Sequence, residues 1–299
     1  MVMGTSRTFG SVAVAMATPF APDGSLDTDS ARRLAAHLVE EGVDCIVLSG
    51  TTGESPTTHQ PEKDDLVRAV VAEVGDRAMV MAGAGSNDTA HAVRIARSAE
   101  KCGAQGLLIV SPYYSKPSQE GIYQHISAIA DSTDLPVMVY DIPGRTGVKI
   151  SDEVFDRLAD NPKIRAVKDA AADLPRGIAT ARRTGLEYYS GDDGLNLAWM
   201  AIGGSGVVSV VGHVAARKYR AMVEALDAGD LAAAQRIDEE VHPLVEAIMG
   251  TGQGAVMAKE AVAMMGVLPT PTVRLPLVGA SQLELDNLRR VLSAQGYID

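Results

Sequence analysis

Short apolar runs alternate with amphipathic segments along most of this chain, and that alternation limits its fold more than any other feature. Eight of the apolar runs have the length of a β-strand: 12–17, 45–48, 79–82, 107–110, 137–140, 164–167, 188–189 and 207–211. The segments between these runs have helical periodicity. Strands that alternate with helices form parallel sheets, because the chain must cross the sheet before each new strand begins.

The segment after the first run illustrates how a helix is specified. Asp27 is a residue type that caps helix N-termini, and Gly42 is suited to end the helix before the second run. Four apolar residues between them recur at helical spacing and form one stripe: Ala31, Leu34, Ala35 and Leu38. The segment at 92–103 repeats this pattern.

Eight strands with intervening helices predict a (β/α)8 TIM barrel, which we assign to residues 1–225. A doubly wound sheet is the alternative, but such sheets usually contain fewer strands. After the eighth run, four alanine-rich or apolar segments have helical patterns: 221–226, 231–249, 255–265 and 283–292. We therefore expect a helical C-terminal extension at residues 226–299 that packs on the barrel or on a neighbouring subunit.

Charge and cysteine content limit the partners and the compartment. The 27 Lys and Arg residues against 38 Asp and Glu residues give a net charge of −11, which disfavours nucleic acids and anionic membranes. Cys45 and Cys102 lie in apolar segments without metal-type or redox-type spacing, as in reduced cytosolic proteins. The run 12–17 is too short for a signal peptide, and no segment has the length of a membrane span. We expect a cytoplasmic protein.

The six histidines are scattered and have no paired ligand spacing, so we expect no metal site. We predict surface or capping positions for all of them: His37, His59, His91, His125, His213 and His242.

The functional residues of a (β/α)8 barrel lie at the carboxyl ends of its strands. Five of the apolar runs are followed by segments rich in polar, glycine or tyrosine residues: 49–55, 111–114, 140–146, 168–169 and 190–193. In a chain with 4% aromatic residues, the tyrosines at 113, 114 and 140 exceed what core filling needs. Any one of them alone could still be a core ring with a satisfied hydroxyl.

Lys168 is an unusual residue with which to end a buried strand. In a dry pocket an amine loses the solvation that favours its charged form, so its pKa falls and a nucleophilic neutral fraction appears. A Schiff-base enzyme requires such an amine. The alternative is a lysine that extends its charge to the rim of the barrel. Seven other lysines fall in predicted helices, loops or strand starts, where we expect solvent to keep them protonated: Lys63, Lys101, Lys116, Lys149, Lys163, Lys218 and Lys259.

Three further groups could act with Lys168. The turn Gly50-Thr51-Thr52-Gly53 exposes hydroxyls and backbone N–H groups that can bind a carboxylate, although a plain turn can have the same sequence. Tyr140 ends the strand next to that of Lys168, where a phenol can transfer protons. Arg145 supplies a local cation that matches a carboxylate, or forms a surface salt bridge.

The residues named above, with the segments 49–55, 140–146, 167–169 and 190–193, resemble the dihydrodipicolinate synthase family. That family belongs to the N-acetylneuraminate lyase superfamily of class I, pyruvate-dependent aldolases. The resemblance extends over nearly the whole chain, from Thr18-Pro19-Phe20 to Arg274-Leu275-Pro276. It implies a lyase of the diaminopimelate and lysine pathway that condenses pyruvate with aspartate semialdehyde. It also implies a homotetramer built as a dimer of dimers.

The resemblance assigns roles to individual residues. Lys168 would form the imine with pyruvate, which replaces any cofactor, and the proton relay would consist of Tyr140, Thr51 and Tyr114, with Tyr114 entering from a neighbouring subunit. Substrate-binding positions would be Thr52, Arg145, Gly191 and Val208, with Arg145 on the carboxylate of aspartate semialdehyde.

Three alternatives to the synthase remain at this stage. Another lyase, aldolase or dehydratase of the superfamily could act on a 2-keto-3-deoxy sugar acid with the same lysine and tyrosine. A phosphate-binding isomerase barrel is disfavoured because the glycine-rich segment 203–206 precedes the eighth strand, and because Asp192 and Asp193 would repel phosphate. The third alternative is a binding protein that has lost catalysis.

Free lysine inhibits some members of the family from a cleft between two subunits. The matching positions here are Ser55, Pro56, Gln60, Lys63, Asn87, His91 and Tyr113. His91 stands where sensitive members have a carboxylate, and Lys63 stands where they have a histidine. We expect weak or absent inhibition.

Overall fold

The structure is a computed structural model that describes residues 7–299. Its centre is a closed barrel of eight parallel strands in sequence order, in which β1 also pairs with β8. The strands are β1 (Val12–Ala15), β2 (Cys45–Leu48), β3 (Met79–Gly83), β4 (Gly106–Val110), β5 (Val137–Asp141), β6 (Ile164–Asp169), β7 (Glu187–Ser190) and β8 (Gly206–Ser209).

The barrel helices follow the strands that they connect. They are α1 (Thr28–Glu40), α2 (Gln60–Val74), α3 (Thr89–Lys101), α4 (Gln119–Ala130), α5 (Pro143–Thr146), α6 (Asp152–Leu158), α7 (Leu174–Thr184), α8 (Asn196–Ala201) and α9 (Gly212–Asp227). Three helices follow them: α10 (Leu231–Val245), α11 (Gly254–Met264) and α12 (Gln282–Ala294).

The (β/α)8 barrel with a helical C-terminal extension is therefore confirmed, and the doubly wound alternative is wrong. Each predicted run overlaps an observed strand, although the first and last runs continue past the ends of β1 and β8. The proposed boundary at residue 225 falls within α9 and stays a prediction. Residues 1–6 of the predicted barrel domain lie outside the described residues.

Local sequence signals determine where the first helix begins and ends. Asp27 Oδ1 accepts a hydrogen bond of 2.9 Å from the Ser30 backbone N–H, so the predicted N-terminal cap is confirmed. Gly42 has a φ of +94°, a left-handed conformation that glycine adopts at low cost and that turns the chain toward β2. All four residues of the predicted stripe on α1 are buried. They pack against the outer face of the barrel.

The interior of the barrel is a separate cluster of side chains from alternate strand positions. Met138 and Ala166 belong to this cluster, and Tyr140 and Lys168, two residues further on, point to the same side of their strands. The β5–β6 register pairs Tyr140 with Lys168 directly. Strand alternation and register therefore bring the phenol and the amine together at the carboxyl ends.

The prediction that every histidine lies at the surface or caps a helix is wrong for two of them. His213 is buried, and its Nε2 accepts a hydrogen bond of 3.0 Å from the Ala17 backbone N–H. His125 is buried and bonds Thr89 Oγ1 through Nδ1 at 2.8 Å. Burial lowers both pKa values to about 4, so both rings are neutral at pH 7. A neutral ring that is hydrogen-bonded can be buried at little cost.

The prediction that solvent surrounds the other lysines is also wrong for two residues. Lys63 is buried and donates hydrogen bonds of 2.8 Å to the carbonyl and the hydroxyl of Ser55. Lys259 is fully buried and pairs with Glu54, which is distant in sequence. Both amines are compensated by oxygen atoms, and that compensation permits burial.

Cys45 and Cys102 are buried and unbridged. Within residues 7–299, no helix has the length and apolar character needed to cross a membrane.

Candidate active site

A cavity of 430 Å³ opens at the carboxyl ends of the barrel strands. Its lining includes four of the predicted site residues, namely Thr51, Tyr114, Tyr140 and Arg145, together with Ser49, Val110 and Tyr113. The glycine-rich segment 203–206 leads into the start of β8 and so lies at the opposite end of the barrel. The structure therefore brings the four predicted site residues together at the end of the barrel where the sequence predicts the site.

Lys168 lies beneath the Tyr140 ring, with its Nζ 4.3 Å from the ring centroid. Its side chain is 5% exposed and is not part of the cavity lining. Burial lowers the pKa of Lys168 to about 8; the positive charge of Arg145 acts in the same direction, while Asp193 opposes it. An amine with this pKa is neutral to about one tenth at pH 7. The alternative of a lysine that extends its charge to solvent is wrong.

Tyr140 separates the Lys168 amine from the cavity. Its burial raises the pKa of the phenol to about 12, although the Arg145 charge and a hydrogen bond with the Thr51 side chain act in the opposite direction. The phenol is therefore protonated at neutral pH. A neutral phenol between an amine and a cavity can donate one proton and accept another.

Arg145 lies on the short helix α5, which begins directly after β5 with Pro143. Its side chain is exposed and lines the cavity. No carboxylate of residues 7–299 forms an ion pair with it. The surface salt bridge is therefore absent from the described chain, and the guanidinium faces a cavity that can accept an anion.

The turn after β2 also contributes to the cavity wall. Thr51 is exposed and lines the cavity, whereas Thr52 is buried and does not. The Gly53 carbonyl accepts a hydrogen bond of 2.7 Å from the Thr18 hydroxyl, and the Glu54 N–H donates to the Thr51 carbonyl at 3.1 Å. These bonds occupy the carbonyl groups of the turn.

Tyr114 lies at the rim, where its side chain is 88% exposed and its φ is +71°. A left-handed φ is unfavourable for a tyrosine and persists where the surrounding structure requires it. The side chain lines the mouth of its own cavity and leaves most of its surface open to solvent.

Gly191 and Val208 lie outside the lining of the cavity. A Cβ at Gly191 would lie 2.9 Å from two carbon atoms of the Lys168 side chain, so glycine is needed for Lys168 to pack there. Val208 is buried in the barrel interior on β8. Neither is among the cavity-lining residues, and their role in substrate binding stays a prediction.

In the sequence, Asp193 is identified only as part of segment 190–193 and as a group that would repel phosphate. The structure buries its carboxylate, which accepts hydrogen bonds from the Val210 and Val211 N–H groups at 2.8 and 3.0 Å and from Tyr219 Oη at 3.1 Å. Its charge raises the pKa of Lys168. The feature of the sequence that could have identified this role is the position of Asp193 in the segment after β7, beside Asp192.

Among residues 7–299, no group of three or more His, Cys, Asp or Glu side chains is placed to hold a metal ion. The arrangement that does exist is a partly neutral buried amine, a protonated phenol and an unpaired cation. It can attack a carbonyl carbon and bind an acid group.

Comparison with known proteins agrees with this geometry. The model of the dihydrodipicolinate synthetase family matches residues 8–295. The 4-hydroxy-tetrahydrodipicolinate synthase 2 of Streptomyces coelicolor is 53% identical, over 96% of this chain and 96% of its own. The DHDPS structure from Cyanidioschyzon merolae with lysine bound is 39% identical with a TM-score of 0.93, over 98% of this chain and 100% of that chain. The chloride-inhibited dihydrodipicolinate synthase from Acinetobacter baumannii complexed with pyruvate is 34% identical with a TM-score of 0.92, over 97% and 100%.

The position of Arg145 leads to a prediction about Lys168. Because the Arg145 charge lowers the pKa of Lys168, Arg145→Gln should raise it. Trace labelling with acetic anhydride, followed by peptide mass spectrometry, measures amine reactivity at each pH. We expect half-maximal labelling of Lys168 near pH 8 in the wild type and at a higher pH in the variant.

Lys63 is an internal control for this measurement. Its pKa is also lowered to about 8 by burial, without a contribution from Arg145. Its labelling curve should therefore not move. An unshifted curve for Lys168, or an equal shift at Lys63, would contradict the assignment.

Proposed function

Because the chain belongs to the dihydrodipicolinate synthetase family, we propose that it condenses pyruvate with L-aspartate 4-semialdehyde to 4-hydroxy-tetrahydrodipicolinate. The observation that carries this proposal is the buried Lys168 amine beneath the Tyr140 ring at the base of the cavity. The full-length similarity to a protein named as this synthase supports it. A cytoplasmic location is part of the same proposal.

The first half of the reaction converts pyruvate into a nucleophile. The neutral Lys168 Nζ attacks the ketone carbon, and loss of water leaves an iminium ion. The positive charge on nitrogen acidifies the adjacent methyl group, which loses a proton to give an enamine. The covalent bond thus serves as the electron sink, and the proposal includes no separate cofactor.

The second half forms the carbon–carbon bond. The enamine carbon attacks the aldehyde carbon of aspartate semialdehyde, and the resulting alkoxide takes up a proton. The substrate's own amine then attacks the iminium carbon, closes the ring and displaces Lys168.

Proton transfer accompanies each step. Tyr140 stays protonated at neutral pH, so it acts as a relay that donates one proton while it accepts another. Thr51 is hydrogen-bonded to it, and a Tyr114 that enters from a neighbouring subunit would extend this relay toward solvent.

Arg145 gives the site its preference for an acidic aldehyde. Its guanidinium can form a charge-assisted pair with the carboxylate of aspartate semialdehyde, while the Thr51 and Thr52 turn binds the pyruvate carboxylate. The sugar-acid lyases and dehydratases are the alternative function. The names of the relatives described above favour the synthase.

The exposed ring of Tyr114 supports an oligomer as part of this proposal. An aromatic side chain that leaves most of its surface open to solvent can reach into the cavity of a second copy. The expected assembly is a homotetramer formed from two such dimers.

Covalent trapping tests the chemistry. Borohydride reduction in the presence of pyruvate should add a pyruvate-derived group to Lys168, and Lys168→Ala should lose nearly all turnover while staying folded. Peptide mass spectrometry locates the adduct. Lys63 is the matched control, since its pKa is also about 8, and Lys63→Gln should keep the adduct on Lys168. An adduct on Lys63 in the wild type would refute the mechanism.

Subunit complementation tests the role of Tyr114. An oligomer of either variant alone should be inactive. In a mixed oligomer, the site of a Tyr114→Phe chain keeps its own Lys168 and receives an intact Tyr114 from a neighbouring Lys168→Ala chain. We therefore expect activity to return on mixing. Absence of recovery in oligomers that native mass spectrometry identifies as mixed would count against sharing of the residue.

A second cavity, of 170 Å³, bears on inhibition by free lysine. It shares part of its lining with the active-site cavity. Six of the seven inhibitor positions expected from the sequence line it: Ser55, Pro56, Gln60, Lys63, His91 and Tyr113. The Lys63 amine is anchored to Ser55 by two hydrogen bonds, so its charge remains at the cavity and repels an ammonium group.

We expect that half-inhibition of the initial rate requires millimolar or higher concentrations of L-lysine. His91 in place of a carboxylate loses a charge-assisted bond of about 1.5–3 kcal/mol, and about 1.4 kcal/mol is tenfold in affinity. Adding the repulsion from Lys63, the total loss should be about a hundredfold or more. The measurement is the initial rate as a function of L-lysine concentration at saturating pyruvate. Half-inhibition at sub-millimolar lysine would show that the cavity binds lysine despite His91 and Lys63.

A further inference from the structure

The carboxylate of Glu54 joins the active-site turn to the C-terminal extension. Glu54 is 3% exposed and lies directly after Thr51-Thr52-Gly53. Lys259 Nζ, on α11, donates a short hydrogen bond to its Oε1, and the Arg274 backbone N–H donates to its Oε2 at 3.0 Å. We call these three residues the Glu54 clamp.

The two cations of the clamp are themselves held in place. Lys259 Nζ also donates to the Thr272 carbonyl at 2.7 Å. The Arg274 guanidinium pairs with Glu62, on α2, and donates to the Thr57 carbonyl at 2.7 Å. Both cations lie over the Phe20 ring. Lys259 Nζ is 4.2 Å from the ring centroid, and Arg274 Cζ is 4.0 Å from it. The clamp cations are therefore held by contacts within the extension and by contacts with the barrel.

The backbone of Glu54 is in an unfavourable conformation that the clamp can sustain. Its φ is 52° and its ψ is 43°, the left-handed region that residues other than glycine rarely occupy. Its carbonyl accepts hydrogen bonds from the Thr57 N–H and from the hydroxyls of Thr57 and Thr58. Such a conformation persists only where surrounding contacts determine it.

The left-handed residue determines the direction of the turn before it. The Glu54 N–H donates to the Thr51 carbonyl at 3.1 Å, and the Ser55 N–H donates to the Gly50 carbonyl at 3.2 Å. Rotation of Glu54 toward an ordinary backbone conformation would break both bonds. The Thr51 hydroxyl and the nearby N–H groups would then no longer face the cavity.

We propose that Lys259 and Arg274 are positioning residues that act through Glu54 to hold the carboxylate-binding turn in its productive shape. The C-terminal extension thereby completes the pyruvate site although neither residue lines the cavity. This inference rests on the proposed function, because it concerns the binding of the pyruvate carboxylate at Thr51 and Thr52.

The test compares pyruvate binding with binding of the second substrate. Lys259→Met removes the charge and keeps the length of the side chain. Its half-saturating pyruvate concentration in the borohydride trapping assay should rise about tenfold to a hundredfold, as expected for a displaced binding group. The KM for aspartate semialdehyde at saturating pyruvate should change by less than about twofold, because Arg145 is unaffected. Lys259→Arg, which keeps the charge, should restore much of the pyruvate affinity.

Two further variants separate positioning from general loss of stability. Glu54→Gln removes the carboxylate charge within the clamp and should raise half-saturating pyruvate in the same way, even if Lys259→Met fails to fold. Arg220→Met removes a partly buried ion pair with Asp44, which precedes β2 at the opposite end of the barrel. It should lower the melting temperature without changing half-saturating pyruvate.

Hydrogen exchange gives a readout that does not depend on catalysis. Amides of residues 50–58 should exchange faster in Lys259→Met than in the wild type. In Arg220→Met, the same amides should exchange at the wild-type rate. Unchanged exchange and unchanged half-saturating pyruvate in folded Lys259→Met and Glu54→Gln would overturn the inference. If exchange is faster in Lys259→Met but the wild type forms no pyruvate adduct, the proposed function is refuted while the effect of the clamp on the turn stands.

Discussion

The burial of one amine, that of Lys168, is the constraint on which the rest of the site depends. Closure of the barrel places β6 between β5 and β7, so the residue has Tyr140 and Tyr189 as its neighbours in register. The Tyr140 ring and the backbone at Gly191 lie against the Lys168 side chain, which is 5% exposed. Loss of solvation lowers the pKa of Lys168 to about 8, so that a fraction of the amine is neutral and nucleophilic near neutral pH.

The charged residues near the active site fall into two groups: those that act on the pKa of Lys168 and those that are paired elsewhere. Arg145 and Asp193 act on Lys168 in opposite directions, so its pKa reflects a balance between them as well as burial. The cations of the C-terminal extension are kept apart from this balance, because Glu54 and Glu62 neutralise them outside the cavity. In a chain with a net charge of −11, Arg145 thus presents a positive group in the active-site cavity.

Much of the fold followed from local pattern. Strand-length apolar runs and helical stripes depend on neighbours within about one turn or one strand, so they can be recognised without knowledge of the remainder of the chain. The same logic located the active face, since the segments after the strands must meet at one end of a barrel. Lys168, Tyr140, Thr51 and Arg145 could be placed there in advance. Their separations and pKa values could not, because strand register and burial set both.

The sequence alone determined the order of strands and helices, the end of the barrel that carries the site and the residue types available for chemistry. Tertiary structure alone decided which polar side chains are buried. Lys259 is buried where Glu54, 205 residues earlier, pairs with it. His213 is buried where the Ala17 N–H, 196 residues earlier, donates to it, and burial lowers its pKa so that the ring is neutral. The physical reason is that burial of a polar group depends on the partner it meets, and that partner is brought to it by closure of the barrel and not by proximity in sequence.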